Sequence, residues 1–403
     1  MYRVSNFIRH FAFALLAGGG VATLWVNLAP RSYYDAIEWR LLDLSFPVWF
    51  TPTGESLTMM SLTSDLLMAL FLFFLGKELW EALTLERGAL HGRRAGAPVL
   101  AMAGGMIGAA LFWLILSARY ETALEATAFG GWPVPLGSDV VLGYLVGRVV
   151  FGAGHPALHV LLLITIGMDI TGMLLLGLAY PSGGLRLLWL ALPLLSSLGL
   201  WLLVCRKARP GAAERHRRRA LRLWPYGLAG IVSWIGVAAA GLPPALGLLP
   251  IIPAIPHSDH AFGLFAEAEE FLTDPLNRFA HLTVRPLMLV LFLFGLTQGG
   301  IDLRAFAPTT GITLAAMWLG KPLGLMLGGL VLAPMLGLAL PQGLHRRDMA
   351  LIAGIAGMGF TLPALALHSA LPGGAMQEAA RLGLGISLIA GPAMVLVARQ
   401  IRR

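Results

Sequence analysis

Charged residues are scarce in this 403-residue sequence: Asp, Glu, Lys and Arg make up 12% of it, against 57% hydrophobic residues. The mean hydropathy is +0.76. So low a charge content excludes an ordinary soluble protein and predicts an all-α polytopic membrane protein. The 49 glycines and 25 prolines fit closely packed and interrupted membrane helices.

The sequence also lacks features of several other protein classes. It has one cysteine, Cys205, which excludes an internal disulfide. No stretch matches the phosphate-binding pattern Gly-x-x-x-x-Gly-Lys-Ser/Thr, so the sequence does not predict an ATP-driven transporter. The apolar run after Arg3 and Arg9 has no small-residue cleavage site. We interpret this run as a retained first span and not as a signal peptide that is removed.

Apolar runs that approach the length of a spanning helix, about 20 residues, recur along the chain. We predict twelve spans, of which the fourth and the eleventh are broken. They cover residues 10–30, 57–82, 95–117, 122–149, 155–179, 183–205, 223–240, 242–256, 279–300, 306–336, 349–370 and 378–399. The eighth is short. No soluble domain or low-complexity tract stands out, so residues 1–403 are predicted to form a single transmembrane domain.

Basic residues in the loops predict the orientation of the chain. The loop 206–222 carries eight Lys and Arg residues against one acid, Glu214. Because cytoplasmic loops are enriched in Lys and Arg, we predict that this loop and both termini are cytoplasmic, in a bacterial inner membrane. Residues 31–56 then form a periplasmic excursion. The loop 257–278 is acidic although it is cytoplasmic by count, but acidic residues carry little weight in orientation.

The net charge of +8 does not indicate nucleic-acid binding, because the basic residues gather in loops between apolar spans. In the loop 206–222 we interpret them as the orientation signal, with a contact to anionic lipid as the alternative.

The sequence His-Ser-Asp-His at 257–260 has the side chains of a metal site. It lies in a proline-bounded loop, however, and we interpret it as solvated.

Ionisable residues inside the spans are few and therefore informative. A charge near the middle of a membrane helix costs about 2.5–3.5 kcal/mol on insertion scales, so such residues are functional by default. Asp169 lies near the middle of the nearly unbroken apolar stretch 160–180. The alternative interpretation is a buried carboxylate that is paired for structural reasons. We also single out Asp65, Lys77 and Glu78 in the second span, Asp139 in the fourth and Lys321 in the tenth.

Two spans contain residues that interrupt a helix. These are Pro133, Pro135 and Gly137 in the fourth span and Gly357, Gly359 and Pro363 in the eleventh. Because a proline removes a backbone donor and clashes with the preceding turn, the fourth span should unwind just before Ser138 and Asp139. Non-helical backbone survives at membrane depth only where protein or a water-filled cavity covers it. Two interrupted spans in corresponding halves therefore predict the binding site of a transporter.

Five stretches occur in an order and spacing that match a known transporter family. They are SDLLMALFLFFLGKEL in the second span, GGWPVPLGSD in the fourth, MDITG in the fifth, GKPLG in the tenth and GIAGMGFT in the eleventh. Together they resemble the NhaA-type sodium/proton antiporter family over nearly the whole chain. The resemblance implies an inverted-repeat fold of about 12 helices in which the two broken helices cross.

The resemblance also implies roles for individual residues. Ser138 and Asp139 correspond to a Thr-Asp pair at the unwound fourth helix of the family. Asp139 would offset the positive N-terminal ends of the half-helices, and Lys321 the negative C-terminal ends. Asp169 aligns with the second of two adjacent aspartates in the fifth span. The charges assigned to supporting balance, besides Lys321, are Asp65 and Glu78.

The sequence departs from the family's pattern in the fifth and eighth spans. Met168 stands where the family has the first of its two aspartates. The family's lysine in the tenth span interacts with that carboxylate, so Lys321 must pair with Asp139 or Asp169, or lie neutral. Residues 241–243, Gly-Leu-Pro, replace a Gly-Val-His stretch that is linked to pH response. Cation selectivity, stoichiometry and pH regulation therefore stay open.

The predicted function is that of a transporter, not an enzyme, which exchanges Na⁺ or Li⁺ for H⁺ without a resident cofactor. Asp169 is predicted to bind proton and cation in turn, because hard cations prefer oxygen ligands. Asp139 and the Ser138 hydroxyl support it. The expected partners are the bilayer, protons and monovalent cations, and homodimer formation is left open. The alternatives are a carrier of the same fold for K⁺ or an organic anion, which the lost carboxylate favours, and a transport-inactive homologue.

Overall fold

The computed structural model describes residues 7–42, 57–84, 95–119, 127–152, 154–205, 222–255 and 275–401. Within these ranges the chain is helical apart from loops and one short antiparallel strand pair, Arg40–Leu42 with Leu57–Thr58. Most of the predicted loop 206–222, residues 43–56 of the predicted excursion and the sequence 257–260 lie outside the described residues.

Helical segments occupy the positions of all the predicted spans. In the first six spans and the link after span 1 they are Phe7–Leu28, Pro30–Ile37, Met59–Thr84, Gly96–Ser117, Thr127–Gly131, Val134–Leu136, Val140–Phe151, Pro156–Ala179, Leu187–Leu190, Ala191–Leu200 and Trp201–Cys205. In the last six spans they are Trp224–Ala239, Pro244–Leu246, Leu249–Ala254, Pro275–Gln298, Pro308–Met335, Arg346–Ala356, Thr361–Ala370, Ala375–Ser387 and Ala390–Ile401.

The lengths of these helices support the predicted membrane fold. Among the described residues, 7 helices are long and apolar enough to cross a membrane, and the two bent pairs raise the number to 9. The seventh, eighth and ninth predicted spans correspond to shorter apolar helices. An all-α polytopic fold with about twelve helical spans is therefore confirmed.

The eighth predicted span differs most from expectation. It is not an α-helix but two 3₁₀ segments, Pro244–Leu246 and Leu249–Ala254. Prolines at positions 243, 244, 250 and 253 explain the difference, because a proline cannot donate the backbone hydrogen bond that an α-helix needs. The two segments pack against the second and sixth spans.

Spans 3–5 and spans 10–12 form two units with the same order of elements. In each unit a continuous span is followed by a broken span and then by a further span, over residues 96–179 and 308–401. The third and tenth spans pack along each other, and each broken span packs against both the fifth and the twelfth. The first span packs along the ninth, and the sixth along the seventh. The repeated order agrees with an inverted-repeat transporter.

Glycines allow the third and tenth spans to touch through their backbones. A Cβ atom at Gly104 would overlap the carbonyl oxygen of Gly324, and a Cβ atom at Gly324 would overlap that of Gly104. Gly108 and Gly320 face each other in the same way. Small residues permit this close approach between membrane helices. Because Lys321 lies between Gly320 and Gly324, the contact also determines where Lys321 enters the core.

We predict that Gly324→Val destabilises the protein by about 3 kcal/mol, because the new side chain must displace backbone and not a flexible side chain. Gly311→Val in the same span is the control, since a Cβ atom there meets no atom within 4 Å. The midpoint of thermal unfolding in detergent measures both. Equal midpoints for the two variants would contradict the proposed backbone contact.

Candidate functional site

The two broken spans meet where their helices are interrupted. The fourth span bends by 48° between residues 136 and 140, and the eleventh bends by 50° between residues 356 and 361. The backbone N–H of Asp139 donates to the carbonyl oxygen of Met358 at 3.0 Å. Each interruption therefore supplies a hydrogen-bond partner for a backbone group of the other. Non-helical segments at membrane depth need such partners.

Proline and glycine determine the break in the fourth span, as predicted. Pro133 precedes the last 3₁₀ turn, Pro135 lies within it, and Gly137 is extended with φ −72° and ψ 161°. A Cβ atom at Gly137 would lie 3.0 Å from Pro363 and 3.2 Å from Oδ1 of Asp169. A larger residue at 137 would therefore crowd the two spans that meet the fourth one here.

The break in the eleventh span is held by the twelfth. Gly357 and Gly359 lie in the non-helical segment, and the N–H of Gly359 donates to Oγ of Ser387 at 3.1 Å. Pro363, which we also assigned to the interruption, is instead the third residue of the helix Thr361–Ala370. A proline is tolerated in the first turn, because the N–H groups there have no partner within the helix.

The carboxylate of Asp139 faces the N-terminal ends of two half-helices. Oδ1 accepts from the N–H of Leu142 at 2.7 Å, and Oδ2 accepts from the N–H of Thr361 at 3.3 Å. The residue is 1% exposed. One buried negative charge thus meets the partial positive charges of both helix ends, which favours it electrostatically.

Lys321 and Ser138 bond to the carbonyl ends of the preceding half-helices. The ammonium group of Lys321 donates to the carbonyl oxygen of Gly137 and lies 3.4 Å from Oγ of Ser138. The Ser138 hydroxyl donates to the carbonyl oxygen of Ala356 at 2.9 Å. Together with Asp139, these two side chains bond to both kinds of free helix end.

Lys321 makes no direct contact with a carboxylate of the described residues. Within the described part of the chain no Asp or Glu oxygen lies within 4.0 Å of its ammonium group, which instead bonds to backbone and to Met317 Sδ at 3.4 Å. Of the alternatives left open for Lys321, a direct ion pair with Asp139 or Asp169 is not present in this structure, and a neutral Lys321 stays a prediction. The physical reason is that the interrupted backbone offers a carbonyl oxygen closer at hand.

Asp169 is fully buried beside the break in the fourth span. Its Oδ1 accepts from the N–H of Ser138 at 2.7 Å. Its Oδ2 has no hydrogen-bond partner among the described residues. A buried carboxylate with one oxygen fixed and the other available has the geometry of a group that binds a proton or a cation.

Met168 is also fully buried, and its sulfur lies 3.5 Å from Oγ of Ser138. Its terminal methyl group packs where Gly105 of the third span has no side chain. The position next to Asp169 therefore contributes an apolar thioether to the contact between two spans. It adds no carboxylate to the site.

Asp65 and Glu78, the other predicted supporting charges, lie on the second span. Oγ of Ser64 donates to Oδ1 of Asp65 at 3.3 Å, within the π-helical turn Leu62–Leu67. Near the other end of the span, the ammonium group of Lys77 lies 3.7 Å from Glu78 and 2.8 Å from Glu81. Lys77 follows Asp65 by 12 residues, so these polar groups are about 18 Å apart along the helix.

Sequence reasoning missed Thr361, Ser387 and Met317, whose importance depends on which spans cross. The available signal was position: Thr361 lies within the predicted break, between Gly359 and Pro363. Among the described residues no group of three or more His, Cys, Asp and Glu side chains is placed to hold a metal ion. A cation bound here would use the carboxylates of Asp169 and Asp139, the Ser138 hydroxyl and further neutral oxygens.

Comparison with known proteins finds one family and relatives that are named as Na(+)/H(+) antiporters. The chain matches the family "Na+/H+ antiporter 1" over residues 7–397. It is 39% identical to the Na(+)/H(+) antiporter NhaA of Jannaschia sp. (strain CCS1), over 99% of this chain and 98% of that protein. It is 34% identical to the Na(+)/H(+) antiporter NhaA 2 of Pelobacter propionicus, over 98% and 97%.

Among solved structures, the chain is similar to the sodium proton antiporter MjNhaP1 from Methanocaldococcus jannaschii at pH 8. That likeness has a TM-score of 0.48 and 12% identity, over 98% of this chain and 96% of the other. The family match and the two sequence relatives cover nearly the whole chain. The chain belongs to the Na+/H+ antiporter 1 family.

Proposed function

We propose that this protein is a secondary transporter that exchanges Na⁺ or Li⁺ for H⁺ across the bacterial inner membrane by alternating access. The observation that carries the proposal is the fully buried carboxylate of Asp169. One of its oxygens is held by the Ser138 amide, and the other has no partner within the described residues. Membership of an Na+/H+ antiporter family, and relatives that bear the same name, support cation/proton exchange.

In the proposed cycle Asp169 binds a proton and a cation in turn. A bare carboxylate in this buried position is costly, because an isolated charge away from water is strongly disfavoured. A proton neutralises it on one side of the membrane, and a hard cation, which prefers oxygen ligands, replaces the proton on the other. Exposure of the same group to each side in turn couples the two fluxes.

Asp139 and Lys321 have a different part in this proposal. Both oxygens of Asp139 accept backbone hydrogen bonds, and Lys321 donates to the carbonyl of Gly137. These bonds hold the ends of the interrupted helices in place while the ligand on Asp169 changes. Asp139 also places negative charge beside the cation, and Ser138, which directly precedes Asp139, holds Asp169 through its N–H.

A carrier for K⁺ or an organic anion is the second candidate. Met168 favours it, since this position gives the site a buried thioether and no second carboxylate. Flux assays with a panel of solutes distinguish the candidates, and Na⁺- or Li⁺-dependent proton movement is the result that supports exchange. A transport-inactive homologue would show no flux with any of the solutes.

We predict that Asp169→Asn abolishes cation-dependent dissipation of ΔpH in everted vesicles while the protein still inserts and folds. The amide keeps the shape of the carboxyl group but cannot carry its proton or its negative charge. Asp35→Asn, at an exposed position, is the control and should retain exchange. Near-normal exchange by the Asp169 variant would show that another residue is the shared group, with Asp139 as the next candidate.

The proposed orientation can be tested on the loop 206–222. In a background without Cys205, a cysteine introduced as Ala213→Cys should resist impermeant thiol reagents that are added outside spheroplasts, because eight basic residues keep this loop in the cytoplasm. A cysteine introduced as Ser182→Cys, in the loop after the fifth span, should react under the same conditions. The reverse labelling pattern would contradict the proposed orientation and show that this loop faces outside.

We predict that the exchange is electroneutral. Met168 has no titrating proton, so one proton leaves Asp169 as one monovalent cation enters. Exchange in proteoliposomes under an imposed potential measures this, because moving one net charge is worth about 2.3 kcal/mol per 100 mV. Met168→Asp should introduce voltage dependence if position 168 sets the stoichiometry.

A rate and an end-point that follow the imposed potential in the unchanged protein would overturn the single-carboxylate account. Lys321 would then be the second titrating group, since a buried lysine can lose its proton. The matched variant Lys321→Gln separates the two arrangements. It should leave voltage dependence absent if Asp169 acts alone, and it should abolish voltage dependence if Lys321 releases the second proton.

A further inference from the structure

Thr361 is the first residue of the second half-helix of the eleventh span and is fully buried. Its hydroxyl oxygen has no hydrogen-bond partner in the part of the chain that the structure describes. A buried hydroxyl without a partner is disfavoured, and each such group in a native protein calls for a physical explanation. Neither the predicted site nor the proposed cycle uses this group.

Other threonines within the helices show what is unusual about Thr361. Each of six donates to the carbonyl oxygen of the residue four positions earlier, at 2.6–2.9 Å: Thr63, Thr84, Thr165, Thr283, Thr297 and Thr313. For Thr361 the corresponding residue is Gly357, which lies in the break. The interruption of the helix therefore removes the usual partner and leaves the hydroxyl available.

The surroundings of this hydroxyl are those of the proposed cation site. The N–H of Thr361 donates to Oδ2 of Asp139 at 3.3 Å. The hydroxyl lies close to the same carboxylate but outside hydrogen-bond geometry, so a small rotation would let its hydrogen point to Asp139. The residue before Asp139 is Ser138, whose N–H holds Oδ1 of Asp169. Two buried oxygens without partners among the described residues, one on Thr361 and one on Asp169, thus belong to one crossing of the broken helices.

We propose that the Thr361 hydroxyl is an oxygen ligand of the transported cation, together with the carboxylates of Asp169 and Asp139. A hydroxyl has two lone pairs and one hydrogen. One lone pair can face the cation while the hydrogen points to a carboxylate. Such a ligand adds an oxygen to the shell without adding charge, so it raises cation affinity while the proton count of the cycle stays the same. This inference rests on the proposed exchange function.

The test compares Thr361→Val, which replaces the hydroxyl by a methyl group, with Thr361→Ser, which keeps it. The apparent KM for Na⁺ and for Li⁺ and the maximal rate are measured by ΔpH dissipation in proteoliposomes. Thr361→Val should raise the KM about tenfold or more, as expected for a lost interaction with a charged group, while the maximal rate changes less than about twofold. Thr361→Ser should stay close to the unchanged protein.

Thr165→Val is the matched control, because Thr165 is equally buried but donates within its own helix. It should leave the KM unchanged. A second readout does not depend on transport: bound cation raises the thermal unfolding midpoint by mass action. The rise on exchanging choline chloride for NaCl or LiCl should be much smaller for Thr361→Val. If that variant does not fold, Thr361→Ala takes its place in both measurements.

The outcomes separate this inference from the function on which it rests. If the unchanged protein shows neither cation-dependent proton flux nor cation-dependent stabilisation, the proposed exchange is wrong. If the unchanged protein is active and Thr361→Val keeps its KM and its stabilisation by Na⁺, the hydroxyl is not a ligand. A lower maximal rate with an unchanged KM would likewise overturn the inference, because it shows a structural effect alone.

Discussion

The carboxylate of Asp139, bonded at once to the N–H groups of Leu142 and Thr361, is the interaction on which the site depends. Two helices that stop inside a membrane leave free backbone donors and acceptors with no water to bind them. Asp139 bonds to the donors, and Lys321 and Ser138 bond to the acceptors. Once these helix ends are satisfied, the crossing can persist at membrane depth and bring the fifth span against it.

The same arrangement supports our proposal that Asp169 exchanges its ligand. Ser138, Asp139 and Lys321 bond to backbone at the crossing. Only one oxygen of Asp169 is held, by the Ser138 amide. Met168 supplies packing to the third span and no second carboxylate. Lys321 bonds to a carbonyl oxygen and so does not neutralise Asp169 by direct contact. In our proposal, a proton or a cation is the partner of the remaining oxygen.

Much of this fold could be predicted from the sequence because its causes are local. Pro133, Pro135 and Gly137 interrupt a helix wherever they stand, and Asp169 is conspicuous in an apolar stretch. The eighth span lies where its apolar composition predicts it, but its prolines make it 3₁₀ and not α-helical. The partner of Lys321 and the surroundings of Thr361 could not be predicted, since each depends on which atoms the other broken span brings near. Such contacts follow from the crossing and not from the residue type.

The central claim is that one buried carboxylate holds either a proton or a cation. It is tested most directly by adding Na⁺ or Li⁺ to the purified protein in weakly buffered detergent solution and measuring bound cation and released proton together. The account predicts release of about one proton for each cation bound, because a carboxylate must lose its proton to bind a metal ion. Cation binding with no proton release, at a pH where the protein exchanges the two, would contradict it.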